Sequence, residues 1–397
     1  MEPSSESSWP AFRGDGAPTA LQGQAQAASI AGGASANDGA SRQAAVLAVV
    51  ILADADIDRL DCCLDALDRQ DLDAPFDILL VDDAADHAVA RLAAAWSARL
   101  LSERHAGQQR QQAASRGPRL RYLNDPGKAP GPASARNLGW RATDAPIIAF
   151  IGADTVPAPD CLRQGLAAFC CGPASGAREA AAAAAVDAVC GRVQSALPRN
   201  PTEAQLDSCL RDGAPFSPCN WFCRRATLAQ LGGFDERFKD LGGEMEDFHM
   251  RLLAAKAAVA CAPAAVVAHP AAAGSWGASL SLQRALCTQA LLLKKHAALF
   301  REHLHRPPPP LWHDLAVVAA LLLFALGWYL HHEVLTVAAA GTWLVLTGML
   351  IIRRLLDTAK TPSHIAEVML TSLVLPPLAL FWRLVGAARY HLRFARA

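Results

Sequence analysis

From Ala44 onward the chain alternates short, mostly apolar runs with segments whose apolar residues recur at helical spacing. AAVLAVVIL (44–52) is continuous enough for a strand buried on both faces of a parallel sheet. DRLDCCLDALDRQ (58–70) puts Leu60, Cys63, Leu64 and Leu67 on one helical face. FDILLV (76–81) predicts a second strand ending at Asp82-Asp83, and His87–Leu101 a second helix. LRYLN (120–124) predicts a third strand, Ala133–Ala142 a helix and Ile147–Ile151 a fourth strand. Such alternation predicts an open, mostly parallel α/β sheet. Ligands of such sheets bind beyond the carboxyl ends of the strands. Asp82, Asp83 and Asp154 all fall at those ends.

Later segments are less regular. The Gly- and Pro-rich stretch before residue 133 predicts a loop, with Ser134 as a candidate helix N-cap and Arg136 and Asn137 in the first turn. A helix start with a nearby guanidinium suits an anion, and a capped surface helix reads the same residues equally well. Gly172–Ala188, dominated by Ala, predicts an insertion or surface helix. Glu246-Asp247 opens a helix whose apolar face carries Phe248, Leu252 and Leu253. Acidic residues there are, by themselves, only favourable dipole partners.

The carboxyl-terminal pattern changes again. Leu315–Leu330 and Val334–Ile352 are long uncharged runs separated by His331-His332-Glu333, which predicts a helical membrane hairpin. Arg301, Arg306, Arg353 and Arg354 flank its outer ends and place both on the cytoplasmic side. A third run, 365–382, is broken by Pro376-Pro377 and followed by a basic tail. A full crossing would leave that tail outside, so a re-entrant or interfacial segment is the expectation over a third span. The organisation expected is a disordered tail (1–43) without a signal-like apolar run, an α/β domain (44–300) and a membrane region (301–397).

Composition adds exclusions. Lys+Arg and Asp+Glu both number 37, so zero net charge removes any general electrostatic case for nucleic-acid binding. The eleven cysteines form no CxxC pair, which predicts reduced, buried thiols rather than a zinc site.

Taken in order, VVIL, LLVDD, ARNLGW, IIAFIGADTVP, RRATLAQLGGFDERF, EMEDFHMRL and AVVAHP resemble a family 2 glycosyltransferase over about Ala44 to Lys295. The resemblance implies a GT-A fold and inverting sugar transfer from a nucleoside-diphosphate sugar to an acceptor hydroxyl. It also implies a bacterial membrane-anchored enzyme in the inner (plasma) membrane, with its catalytic domain cytoplasmic and a Mg²⁺ or Mn²⁺ cofactor. The acceptor it implies is a membrane lipid or lipid-linked molecule, in polysaccharide, glycolipid or other cell-envelope synthesis. By that resemblance Asp82 and Asp83 contact the donor's base and ribose. Arg136 and Asn137 match an RN pair at the nucleotide, and Asp154 is the metal-binding last residue of a DxD motif. Asp247, within the Glu246-Asp247 pair, is the general base. His269 lies near the metal or phosphates, and Gly232–Asp235 frames the acceptor side.

Three positions depart from the family pattern. The first strand ends in Leu52-Ala53-Asp54-Ala55, Gly152 replaces the first Asp of DxD, and His249 replaces a further Asp. The losses raise an alternative, a catalytically degenerate membrane-anchored partner protein. Retention of Asp154 and Asp247 favours the enzyme. A nucleotidyltransferase is disfavoured because no Gly-rich basic loop follows the first strand.

Overall fold

The computed structural model describes residues 45–53, 56–109, 117–124, 131–171, 185–212, 217–239, 242–270, 275–299, 311–356 and 358–390. The expected tail (1–43) and the Ala-rich stretch up to residue 184 lie outside these residues, as do Asp54, Ala55, Arg301 and Arg306.

The core is an eight-stranded mixed sheet in the order β3-β2-β1-β4-β7-β6-β8-β5. Strands β1 (Leu47–Leu52), β2 (Phe76–Val81), β3 (Arg119–Leu123) and β4 (Ile147–Gly152) run parallel, as the alternating pattern predicts. Their carboxyl ends therefore share one edge. The mixed half consists of β5 (Val156–Pro157), β6 (Ala188–Ala196), β7 (Asn220–Arg224) and β8 (Val259–Pro270). Here β7 is antiparallel to both β4 and β6, and β8 is parallel to β6.

Helices cover both faces of the sheet. On one side, α1 (Ile57–Asp68), α2 (His87–Gln109) and α4 (Cys161–Cys171) bury Leu60, Leu64, Trp96 and Leu162 against the odd-facing residues of β1. On the other lie α3 (Pro132–Arg141), α6 (Arg225–Gln230) and α7 (Glu244–Ala254), packed on Val50, Phe150 and Trp221. There Phe150 and Trp221 stack at 4.6 Å between ring centres, and Phe234 and Phe248 complete an aromatic wedge. This wedge fixes α7 over the edge where β4 ends.

Two local expectations are corrected. Ser134 does not cap α3: Gly131 holds the N-cap position and Pro132 supplies the first turn. Proline has no N–H to satisfy there, and the Ser134 hydroxyl instead donates to the Gly131 carbonyl at 2.9 Å. Helix α7 begins at Glu244, two residues ahead of the expected start. Gly243 turns the chain at φ +97°, and its N–H donates to Glu246 Oε2 at 3.0 Å. The thiol expectation holds for Cys63, Cys161, Cys190, Cys223 and Cys287, but Cys170 and Cys261 are exposed. Burial pushes the Cys161 thiol up to about 12.

Beyond the sheet, α5 (Glu203–Asp212), α8 (Ala278–Leu282) and α9 (Ala285–Lys295) lead to α10 (Leu311–Tyr329), α11 (Glu333–Leu355) and α12 (Pro362–Arg389). The last three are long and apolar enough to cross a membrane.

Candidate active site

At the carboxyl edge, Asp82 and Asp83 have different surroundings. Asp82 is buried; it accepts from the N–H groups of Ala84 (3.1 Å) and Asp86 (2.9 Å) and from the Tyr122 hydroxyl (2.7 Å). Its carboxylate thus builds the turn after β2. Asp83 is exposed, and its Oδ2 accepts from Gly131 N–H at 2.9 Å, tying the β2 turn to the start of α3.

On α3, Arg136 is buried and donates to Glu244 Oε1 at 2.7 Å, with its guanidinium over the Phe234 ring. The second oxygen of Glu244, Oε2, is buried without a hydrogen-bond partner. Asn137 is consumed by the protein itself. Its amide donates to Phe234 O (2.9 Å) and Glu236 Oε1 (2.8 Å), and its oxygen accepts from Phe234 N–H and Trp140 Nε1, both at 2.9 Å. Asn137 thereby staples α3 to the turn at 232–235.

That turn requires glycine at 233. Its φ is +73°, and a Cβ would stand 2.4 Å from Asn137 Oδ1 and 2.9 Å from Trp140 Nε1. Gly233→Ala should therefore destabilise the domain by about 1–3 kcal/mol, read as a lowered unfolding midpoint of the detergent-solubilised chain. An unchanged midpoint would mean that the turn is adaptable.

The α7 start brings three carboxylates together. Glu246 closes the cap on Gly243. Asp247 is fully enclosed: Oδ2 accepts from Arg251 Nε (2.9 Å), and Oδ1 meets His296 Nε2 (2.9 Å) and the Lys295 ammonium. Lys295 also reaches Asp235 Oδ2 at 2.7 Å. Burial alone would raise the Asp235 carboxyl, but hydrogen bonds from Arg237 and Lys295 outweigh it and hold the group well below the carboxylate range.

Asp154 follows β4, and the β5–β8 pairing of Val156 with Ala268 carries His269 to it. His269 Nε2 lies 2.9 Å from Asp154 Oδ2. Burial would raise the Asp154 carboxyl; the His269 hydrogen bond and charge outweigh it and leave the group lowered. At Gly152 a Cβ would meet Asp154 Oδ1 at 3.0 Å, Thr155 Cγ2 at 3.1 Å and Cys219 Sγ at 3.2 Å. A side chain at 152 would therefore require the Asp154, Thr155 and Cys219 side chains to give by a few tenths of an ångström. Among the described residues no three His, Cys, Asp or Glu side chains form a metal-binding group.

The structure thus joins Asp154 to His269, Asp83 to the α3 start, and Arg136 to the α7 start. It also adds Glu244, Lys295 and His296, which the sequence reading did not single out. Glu244 carried a signal, an acidic residue directly after Gly242-Gly243, which a helix start read two residues late obscures. The reach of Lys295 and His296 to Asp247, across 48 and 49 positions, leaves no trace in local pattern.

Solved structures similar to the chain include a mannosyltransferase, PcManGT from Pyrobaculum calidifontis, in complex with GDP-Man and Mn²⁺. It is 16% identical, covers 87% of this chain and 84% of its own, and has a TM-score of 0.43. S. aureus TarS 1-349 is 12% identical, covers 88% of this chain and 93% of its own, and has a TM-score of 0.37. No curated protein matches the chain. The sequence profile of glycosyl transferase family 2 matches residues 48–232, ending ahead of α7. The matched span, a little under half of the chain, holds Asp82, Asp83, Arg136, Asn137 and Asp154.

Proposed function

We propose that this chain is an inverting glycosyltransferase moving a sugar from a nucleoside-diphosphate donor to the hydroxyl of a lipid or lipid-linked acceptor in cell-envelope synthesis. Residues 44–300 would be the catalytic domain, cytoplasmic beneath the inner membrane, and 301–397 the membrane region. The observation that carries this reading is the pairing of Asp154, inside the span matched by the family 2 profile, with His269 beyond the carboxyl end of β4.

Each side chain has a part in the proposed reaction. Asp82 shapes the turn that leaves Asp83 exposed to meet the donor's base or ribose. Arg136 supplies positive charge at the α3 start for the phosphates. Asn137 holds the 232–235 turn that frames the acceptor. Asp154 and His269 offer one carboxylate oxygen and one imidazole nitrogen, a pair that fits Mn²⁺ better than Mg²⁺. A divalent cation held there would neutralise charge on the departing diphosphate.

In a single displacement the acceptor oxygen attacks the anomeric carbon, the carbon–diphosphate bond breaks, and the acceptor proton needs a base. The resemblance gives that role to Asp247. Both Asp247 oxygens are engaged by Arg251, Lys295 and His296, and the side chain is fully enclosed. We propose Glu244 as the base in its place. Its buried Oε2 is unpartnered, and such an atom suits a hydrogen-bond donor arriving from outside the chain. The acceptor hydroxyl is such a donor. Glu246 serves as the helix cap.

His269→Ala should weaken Mn²⁺-supported nucleotide binding by at least about 10–100-fold, the loss that removing even a group that only orients a metal ligand produces. Titration of donor binding to the full chain, with and without Mn²⁺, checks this; unchanged affinity would remove His269 from the site. A second reading, a catalytically silent membrane-anchored partner, is favoured by Gly152 standing where a first DxD carboxylate would be. It requires that no nucleotide-sugar be turned over at any Mn²⁺ concentration.

A further inference from the structure

The third apolar helix, α12, has two sharply different faces. His364, Val368, Thr371, Ser372, Leu375 and Ala379 are buried. Met369, Leu370, Leu373, Val374, Phe381 and Leu384 are exposed, from 40% to 54%. At about 100° per residue the exposed set covers an arc of roughly 140°, opposite the buried one. A lipid-facing span and an interfacial helix would both show this division. The attachments of the two ends distinguish them.

Near its amino end, Glu367 Oε1 accepts from Gly277 N–H at 2.7 Å, and Ala359 N–H donates to Pro201 O at 2.7 Å. Near its carboxyl end, Lys294 Nζ donates to Tyr390 O at 2.6 Å, and Arg284 lies over the Trp382 ring. Gly386 packs so closely on α9 that a Cβ there would stand 2.8 Å from Cys287 O. Helix α9 is itself seated on the α/β domain, where Leu291 and Leu292 join Phe238 and Met250. Both ends of α12 are therefore fastened to one domain. A helix of 28 residues is roughly 42 Å long, so a crossing would carry one end through a hydrocarbon layer about 30 Å thick.

The hairpin is attached in the same way. Arg354, at the end of α11, donates to Val368 O, Thr371 Oγ1 and Ser372 Oγ of α12. It also pairs with Glu203 of α5 and donates to Ser279 of α8. At the start of α10, Asp314 lies 3.7 Å from Arg383 of α12. The beginning of one hairpin helix and the end of the other thus meet the same helix, about twelve residues, or roughly 18 Å, apart along it.

We infer that α12 lies flat between the α/β domain and the lipid surface, with its Met369–Leu384 face as a lipid-docking surface. The described chain then crosses the membrane twice, and Tyr390 ends on the side of the α/β domain. The occupant is lipid because α12 packs against both α10 and α11, whose own exposed residues, including Leu322, Val337 and Leu344, are apolar. This inference is independent of any sugar-transfer activity.

Two measurements on the full chain in its native membrane test it. In sealed vesicles of one orientation, tags placed before Met1 and after Ala397 should be digested together or protected together. Digestion of one with protection of the other would overturn the inference. A diazirine amino acid placed at Leu373 alone should form adducts with lipid on illumination. Adducts with a second copy or with another protein instead would assign the face to a protein partner and overturn it.

Discussion

Glu244→Gln should reduce sugar transfer by about 10²–10⁴-fold while leaving donor binding within a factor of a few. The estimate is the usual contribution of a positioned general base. Gln keeps the size of the side chain and an oxygen that can accept from Arg136, so the buried contact between α3 and α7 survives in neutral form. What it loses is an atom that can take the acceptor's proton. A merely structural role for Glu244 predicts a different outcome, in which loss of its charge beside buried Arg136 lowers the unfolding midpoint and leaves kcat of the folded fraction near wild type. Paired kcat and unfolding measurements on detergent-solubilised full-length protein separate the two. Retained turnover would return the base to another group.

Asp247→Asn should act mainly on stability. Asp247 is fully buried, offsets the charges of Arg251 and Lys295, and lies 2.9 Å from His296 Nε2. Removing one member of a buried ion pair costs about 3–5 kcal/mol because the partner charge is left uncompensated. Lys295 and Arg251 keep 19% and 20% of their side-chain surface exposed and can recover some hydration, so the lower end applies. A loss of about 3 kcal/mol corresponds to roughly 6–12 °C in unfolding midpoint for a domain of this size. The same change should loosen α9 from α7, which Lys295 and His296 hold together. If Asp247→Asn unfolds at the wild-type temperature yet loses all turnover, Asp247 is the base after all.

The parallel half of the sheet was legible in the sequence because VVIL, ILLV and IIAFI are continuous apolar runs, a pattern that buried parallel strands impose. Asp154 was legible because a strand end positions it. Its partner His269 was legible only through the family pattern, since the contact depends on β5–β8 register across 115 residues. Glu244 was missed through a two-residue error in the start of α7, and helix starts are set by cap geometry that pattern resolves poorly. At Gly243 the deciding factor is a left-handed backbone, which a Gly-Gly pair permits but does not locate. The buried roles of Asp82 and Asn137 were hidden for a related reason. Motif position cannot tell a carboxylate or amide that faces a ligand from one that its own turn consumes.

The most direct measurement of the central claim is release of nucleoside diphosphate from a panel of nucleotide sugars. It should use membranes containing the full chain, with Mn²⁺ present, beside membranes carrying Asp154→Ala. The account predicts turnover of at least one donor by the wild-type chain, dependent on the divalent cation and lost in Asp154→Ala. Absence of turnover across the panel, or turnover that survives Asp154→Ala unchanged, would contradict it.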